Sequence, residues 1–277
     1  MTELQVPSRK FLEEIGVRPS KGRGQNFLKE AWVVERMADE LSLGPGDMVV
    51  EVGPGLGALT GPLLDTGATV HAIEVDDQLA AYLQTRLETN RFTLLNADAR
   101  SVSIDEIVPE RRNYDLAANL PYSSAPTILR HFLESEHPPA RTICMVQREV
   151  GLRIAANPPD MSILGVAIQV YATAKVLFDV PPEAFVPKPK VFSSVVLLER
   201  RPLPLIETWE RETFFRLVTA GFAQKRKTIL NSLSASLPDD RESLRARLER
   251  LEIAPMRRAE TLAVEDWITL LRDFAAA

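Results

Sequence analysis

The run Met48-Val-Val-Glu-Val52 passes directly into a glycine-studded segment, Gly53-Pro-Gly-Leu-Gly57, and then into helically spaced residues over 58–66. Few features restrict a fold more. Five consecutive strand-forming residues suit a strand buried on both faces, and glycines let the chain reverse sharply into a helix that returns over the sheet. The alternation continues. Strands are expected over 69–75, 92–98, 114–120 and 141–146, with helices over 77–89 and 124–135. Such spacing predicts right-handed βαβ units and an α/β, doubly wound, mostly parallel sheet. Two β-branched runs, 172–180 and 191–199, flank the proline-rich link PPEAFVPKPK and predict an antiparallel hairpin at the sheet edge. Ahead of the sheet lie a short amphipathic helix over 7–16, a glycine- and base-rich stretch over 21–28, and a helix over 29–41.

After Arg200-Arg-Pro-Leu-Pro204 only helical periodicity remains, over 209–223, 227–236, 240–250 and 265–275. This proline-bounded change predicts two domains, residues 1–203 and a small all-α domain at 204–277. Three histidines and one cysteine in 277 residues leave little for a zinc cluster or a disulfide framework, so no metal is expected. Cys144 sits in the apolar TICMV run and reads as a core residue. No 18-residue apolar run and no signal-like start are found, so the expectation is a cytoplasmic chain with no membrane partner. The net charge of −5 counts mildly against a nucleic-acid partner, whose footprint is usually basic. The charge is uneven, however. Residues 1–200 carry 20 Lys+Arg and 26 Asp+Glu, and residues 201–277 carry 13 and 12.

The glycine segment invites a ligand, because its backbone can approach one closely. Gly53, Gly55 and Ala58 satisfy a relaxed dinucleotide pattern, and Glu74 falls about 21 residues on, where a carboxylate accepts ribose hydroxyls. That much suits NAD and S-adenosylmethionine equally. Glu51, just before the loop, opposes a pyrophosphate and suits a cationic aminoacyl sulfonium. Asp98, in Asn-Ala-Asp-Ala at the third strand end, suits an adenine amino group. The fourth strand closes on Asn119-Leu120-Pro121-Tyr122. Proline stops the strand, and the Asn119 side-chain carbonyl and the Leu120 peptide carbonyl form a pair of acceptors for an exocyclic amino group. Tyr122 adds a flat face for a base.

This tetrad resembles the signature of amino-methyltransferases acting on adenine or cytosine. With GQNFL (24–28), EVGPGLGALT (51–60), IEVD (73–76), NADA (96–99), QREV (147–150), FDVPPEAFVPKPKVFSSV (178–195) and RRAETLAVEDW (257–267), the chain resembles the ribosomal RNA adenine dimethyltransferase family, in particular its bacterial small-subunit branch. Ser123 stands where family members often have Asn. The resemblance implies a seven-stranded, Rossmann-like methyltransferase sheet and S-adenosyl-L-methionine as cofactor. It implies cofactor contacts from Gln25, Asn26, Leu28, Glu51, Gly53, Gly55, Gly57, Glu74, Val75, Asp98, Ala99 and Asn119. It implies a catalytic group of Asn119, Leu120, Pro121, Tyr122 and Phe185, with the two aromatics packing against an extruded base. It also implies 16S rRNA within an immature small ribosomal subunit as partner, two adjacent adenines near its 3′ end as target, and a monomeric enzyme.

Candidate phosphate contacts are Lys21, Arg23, Arg148, Lys188, Lys190 and the Lys225-Arg226-Lys227 run, together with Arg111, Arg112 and Arg153. Competing readings are a 23S rRNA adenine methyltransferase of the macrolide-resistance type, a mainly non-catalytic ribosome-assembly factor, and a dehydrogenase. The absence of a hydride-transfer site after Asn119-Leu-Pro-Tyr counts against the last.

Overall fold

The computed structural model describes residues 7–17, 25–109 and 112–275. Helix α1 (Arg9–Glu14) is capped by Ser8, whose hydroxyl accepts from the Phe11 amide at 3.1 Å. A two-residue strand β1 (Phe27–Leu28) precedes α2 (Ala31–Leu41), which buries Val33, Val34, Met37, Ala38 and Leu41 on one stripe. Then come β2 (Met48–Val52), α3 (Thr60–Asp65), β3 (Thr69–Glu74), α4 (Asp77–Arg86), β4 (Phe92–Asn96), α5 (Ile104–Ile107), β5 (Asp115–Asn119), α6 (Ala125–Leu133) and β6 (Arg141–Gln147). The chain continues through α7 (Arg148–Ile154), α8 (Ile163–Gln169), β7 (Ala172–Val180), β8 (Phe185–Val186) and β9 (Ser193–Arg200).

Seven strands form one sheet in the order β4-β3-β2-β5-β6-β9-β7. The strands from β4 to β6 are parallel, and β9 runs antiparallel to β6. The expected α/β, mostly parallel architecture is therefore present, with the order reversing between β2 and β5. In such sheets ligands bind beyond the carboxyl ends of the strands at this reversal. Strands β9 and β7 lie side by side at the expected edge. The proline-rich link between them is not a simple connection. After a 3₁₀ turn at Pro182–Ala184, β8 leaves the sheet and pairs antiparallel with β1, Phe27 opposite Val186 and Leu28 opposite Phe185. Periodicity has no access to a pairing two residues long.

The centre of the sheet is buried on both faces; all five residues of β2 are buried. Val33, Met37 and Leu41 of α2 and Leu63 of α3 share a core with Val49, Ala117, Ile143 and Met145 of the sheet. A second cluster joins Phe11, Leu12 and Val17 to Phe27, Leu56 and Leu79, so the N-terminal segment packs over the glycine turn. Cys144 is fully buried, and burial pushes its thiol up to about 12. Among the described residues, no helix is long and apolar enough to cross a membrane.

The chain divides into two compact units, Met1–Gly151 with Lys175–Arg200, and Leu152–Ala174 with Arg201–Ala277. The second unit is thus discontinuous, where composition suggested a single cut at 203/204. Within it, α8 packs on α9 (Arg211–Phe222), which also meets α10 (Ile229–Ser236) and α12 (Val264–Ala275); α10 in turn packs on α11 (Arg241–Arg250). Trp267 is wholly buried and stacks on Phe222 with ring centroids 5.7 Å apart. Gly221 makes room for it: a Cβ there would stand 2.3 Å from Trp267 Cη2. Gly221→Ala is therefore expected to destabilise this unit by about 1–3 kcal/mol through overpacking, read as a lowered urea midpoint. An unchanged midpoint would show that the Trp267 site is plastic.

Candidate active site at the carboxyl ends of the parallel strands

A cavity of about 300 Å³ is lined by the ends of β2, β3 and β5 and by the segment around β1. The glycine turn forms its floor. Gly53, Gly55 and Gly57 have φ of +67°, +58° and +86°, a region that side chains with a Cβ rarely enter. The Gly53 amide donates to the Ile73 carbonyl at 2.9 Å, fixing the turn to β3. Gly55 lies under Phe27, whose ring carbons stand 3.5 and 3.6 Å from where a Cβ would be.

The three carboxylates near this turn differ in state. Glu51 is 1 % exposed, and its Oε2 accepts from the Thr60 hydroxyl at 2.6 Å. Burial raises its pKa to about 8, against the smaller lowering by Thr60, so at neutral pH it holds its proton. Glu74 is also buried, and desolvation raises its pKa. Its two oxygens accept from the Asp76 amide at 2.9 Å and the Gly55 amide at 3.1 Å. Asp98 behaves oppositely. Hydrogen bonding to the Arg100 side chain lowers its pKa, through Nε contacts of 3.0 Å to both carboxylate oxygens and an NH2 contact of 2.5 Å. β4 ends at Asn96, so Asp98 sits in the following turn and not at the strand terminus.

At the end of β5 the chain turns straight into α6. The Pro121 carbonyl accepts from the Ser124 and Ala125 amides, each at 3.1 Å, while the Leu120 amide donates to Met145 O at 3.1 Å. Among the described residues, no hydrogen bond occupies the Asn119 carboxamide or the Leu120 carbonyl. Both residues line the cavity. Tyr122 is half-buried, and its hydroxyl shares a 2.9 Å hydrogen bond with the buried Ser193 hydroxyl.

Of the residues expected to hold the cofactor, Gln25, Asn26, Leu28, Glu51, Gly53, Gly55, Glu74, Val75, Asp98, Ala99 and Asn119 all line the cavity, as do Leu120, Pro121 and Tyr122. Gly57 does not; it shapes the turn behind the wall. Phe185 reaches the wall but is 3 % exposed and belongs to the core, because its place in β8 opposite Leu28 turns it inward. It is therefore no open platform for a base in this structure.

The basic candidates disperse. Lys21, Arg23 and Arg111 lie outside the described residues. Arg148 pairs with Asp179 at 2.9 Å and Lys188 with Glu183; Lys190 is exposed. Lys225, Arg226 and Lys227 are exposed on the second unit. The sequence reading overlooked Arg100, which follows Asp98 by two residues and lines the cavity, and Ser193, which reaches Tyr122 only because β9 folds back beside β6. The Asp98-Ala-Arg spacing was a visible signal for the first; nothing local marks the second.

Comparison with known proteins adds three findings. Residues 19–275 match the family model described as ribosomal RNA adenine dimethylase. Two curated relatives, both named ribosomal RNA small subunit methyltransferase A, come from Moorella thermoacetica and Bacillus cytotoxicus. The first is 40 % identical, covering 98 % of this chain and 99 % of the relative; the second is 37 % identical, covering 98 % and 97 %. Among solved structures, the 23S rRNA methyltransferase ErmE superposes with a TM-score of 0.71 at 25 % identity, covering 90 % of this chain and all of that one. A dimethyladenosine transferase from Plasmodium falciparum superposes with a TM-score of 0.76 at 22 % identity over 90 % of this chain and 98 % of that one, a likeness of fold.

The raised pKa of Glu51 has a measurable consequence. Between its unfolded value near 4.5 and its folded value of about 8, the folded state binds more protons than the unfolded, so its contribution to stability is lost as pH rises through that window. Glu51→Gln keeps an acceptor for Thr60 but does not titrate. The variant is expected to lose less stability than the parent between pH 5 and pH 8, measured by urea unfolding at each pH. Parallel curves would assign the titration to other groups.

Proposed function

The chain belongs to the ribosomal RNA adenine dimethylase family, and from that premise we propose that its cavity takes S-adenosylmethionine and its Asn119-Leu-Pro-Tyr edge presents an adenine amino group of small-subunit rRNA for dimethylation. The observation that carries this reading is that Asn119 and Leu120, whose carboxamide and carbonyl take no hydrogen bond among the described residues, line one cavity with a glycine turn and three acids.

The wall fits this cofactor chemically. A positive-φ glycine turn gives a nucleoside close access to backbone, and Glu74 and Asp98 offer acceptors for ribose and base. Glu51, neutral when unliganded, regains its charge next to a cation. When bound, S-adenosylmethionine supplies a methyl group activated by a sulfonium. The chain's own residues do the rest by placement. Asn119 and the Leu120 carbonyl accept the amino hydrogens and orient the nitrogen lone pair. Tyr122, held by Ser193, packs against the base. The target must leave its stack to reach this edge. No strong base is needed, because the amino nitrogen sheds its proton after attack. Most of the rate enhancement then comes from positioning and fixed dipoles. A second methylation requires that one acceptor yield its place to a methyl group.

The substrate we assign is 16S rRNA in an immature small subunit, with two adjacent adenines near the 3′ end as target and a monomeric, cytoplasmic enzyme. The curated relatives quoted above carry small-subunit names at 37–40 % identity, and this weighs against the large-subunit reading suggested by ErmE at 25 %. Incubation with purified undermodified small or large subunits, followed by nucleoside analysis, distinguishes the two. Dimethyladenosine is expected from the small subunit alone; its absence there would defeat the assignment.

Asn119→Ala tests the mechanism. Transfer is expected to fall about a hundred-fold or more, with circular dichroism unchanged and S-adenosylmethionine affinity within a few-fold of the parent. Normal turnover in that variant would remove Asn119 from the reaction.

A further inference from the structure

Phe192 is an aromatic side chain that the reaction described above does not use. It stands 49 % exposed, immediately before β9, with Val191 beside it at 43 %. Its backbone is anchored, since the Phe192 carbonyl accepts from the Arg148 amide at 2.9 Å. It is also one residue from Ser193, whose hydroxyl holds Tyr122 at the cavity.

Topology puts it on the working edge. β6 runs parallel to β5, so its end at Gln147 lies on the same rim as Asn119, and Gln147 pairs with Ser193 at the start of antiparallel β9. Phe192 therefore stands on the rim that carries the target adenine, two strand spacings of about 4.8 Å away from β5. Exposed Lys190 lies two residues before it, a cation suited to phosphate. An aromatic ring on anchored backbone next to a cation is the combination by which unstacked bases are held.

We propose that Phe192 stacks on an unpaired base flanking the target adenine, replacing the stacking which that neighbour loses when the adenine is extruded. The proposal rests on the rRNA dimethyltransferase reading and assigns a substrate-positioning residue within it. A ring that serves a base depends on its π-face; one that serves an apolar protein contact does not. The test uses the full chain and undermodified small subunits, with Phe192→Ala, Phe192→Leu and Phe192→Trp. For Phe192→Ala, KM for subunits is expected to rise about ten-fold, with kcat and S-adenosylmethionine affinity within two-fold of the parent. Phe192→Trp should restore KM, and Phe192→Leu should resemble the alanine variant. An unchanged KM in Phe192→Ala, or full rescue by leucine, would overturn the stacking role while leaving the enzymatic reading intact. An inactive parent protein would instead defeat the reading beneath it, and the stacking role with it.

Discussion

A strand that ends at Val52 must reverse within a few residues to deliver α3 back over the sheet, and it does so through three glycines at positive φ. The cost is a stretch of backbone in which only Pro54 and Leu56 have side chains to bury. That stretch is covered from outside. Phe27 lies over Gly55, and α1, β1 and Leu79 close the apolar cluster around Leu56. The same cover supplies Gln25, Asn26 and Leu28 to the cavity wall. Turn and N-terminal segment therefore form one device, in which the need to cover a glycine loop also closes one side of a ligand site.

Burial then sorts the acids that the turn brings together. Equal in sequence, Glu51, Glu74 and Asp98 are unequal in the fold. Glu51 is buried in the cavity wall and protonated, Glu74 is buried with both oxygens accepting from backbone amides, and Asp98 is ionised against Arg100. A wall of three full negative charges would repel itself. This wall avoids that by neutralising one acid through desolvation and pairing another. On the proposed reading a bound sulfonium favours loss of the Glu51 proton.

The strands and most helices were legible because each follows from local periodicity: β2 from a run of four apolar residues around Glu51, α2 from its stripe, β5 from the run that Pro121 ends. The glycine turn and Asn119-Leu-Pro-Tyr were legible because their backbone demands are written in Gly and Pro. What escaped depends on residues far apart in the chain. The β1–β8 ribbon joins segments about 160 residues apart by two residues each, and it is this ribbon that buries Phe185. Ser193 meets Tyr122 across 71 positions. Helix α8 shares the second unit with the C-terminal helices although β7 and β9 of the sheet intervene in the chain. Pattern reading finds elements; it finds a partner only when that partner is local.

The net charge of −5 seemed to argue against an RNA partner. Net charge is a property of the whole chain, whereas association responds to the potential at the surface that docks. Glu51 and Glu74 are buried and contribute little to that surface, and Asp98 is matched by Arg100. Two expected phosphate contacts are likewise engaged in exposed local pairs, Arg148 with Asp179 and Lys188 with Glu183. The rim around Asn119 presents half-buried Tyr122, exposed Phe192 and the exposed cation Lys190. On the proposed reading such an edge selects for an unstacked base, with phosphate attraction from exposed basic residues such as Lys190, Lys225, Arg226 and Lys227. On that reading, affinity for RNA is the salt-sensitive property, and the choice of the reacting base is set by the shape of one rim.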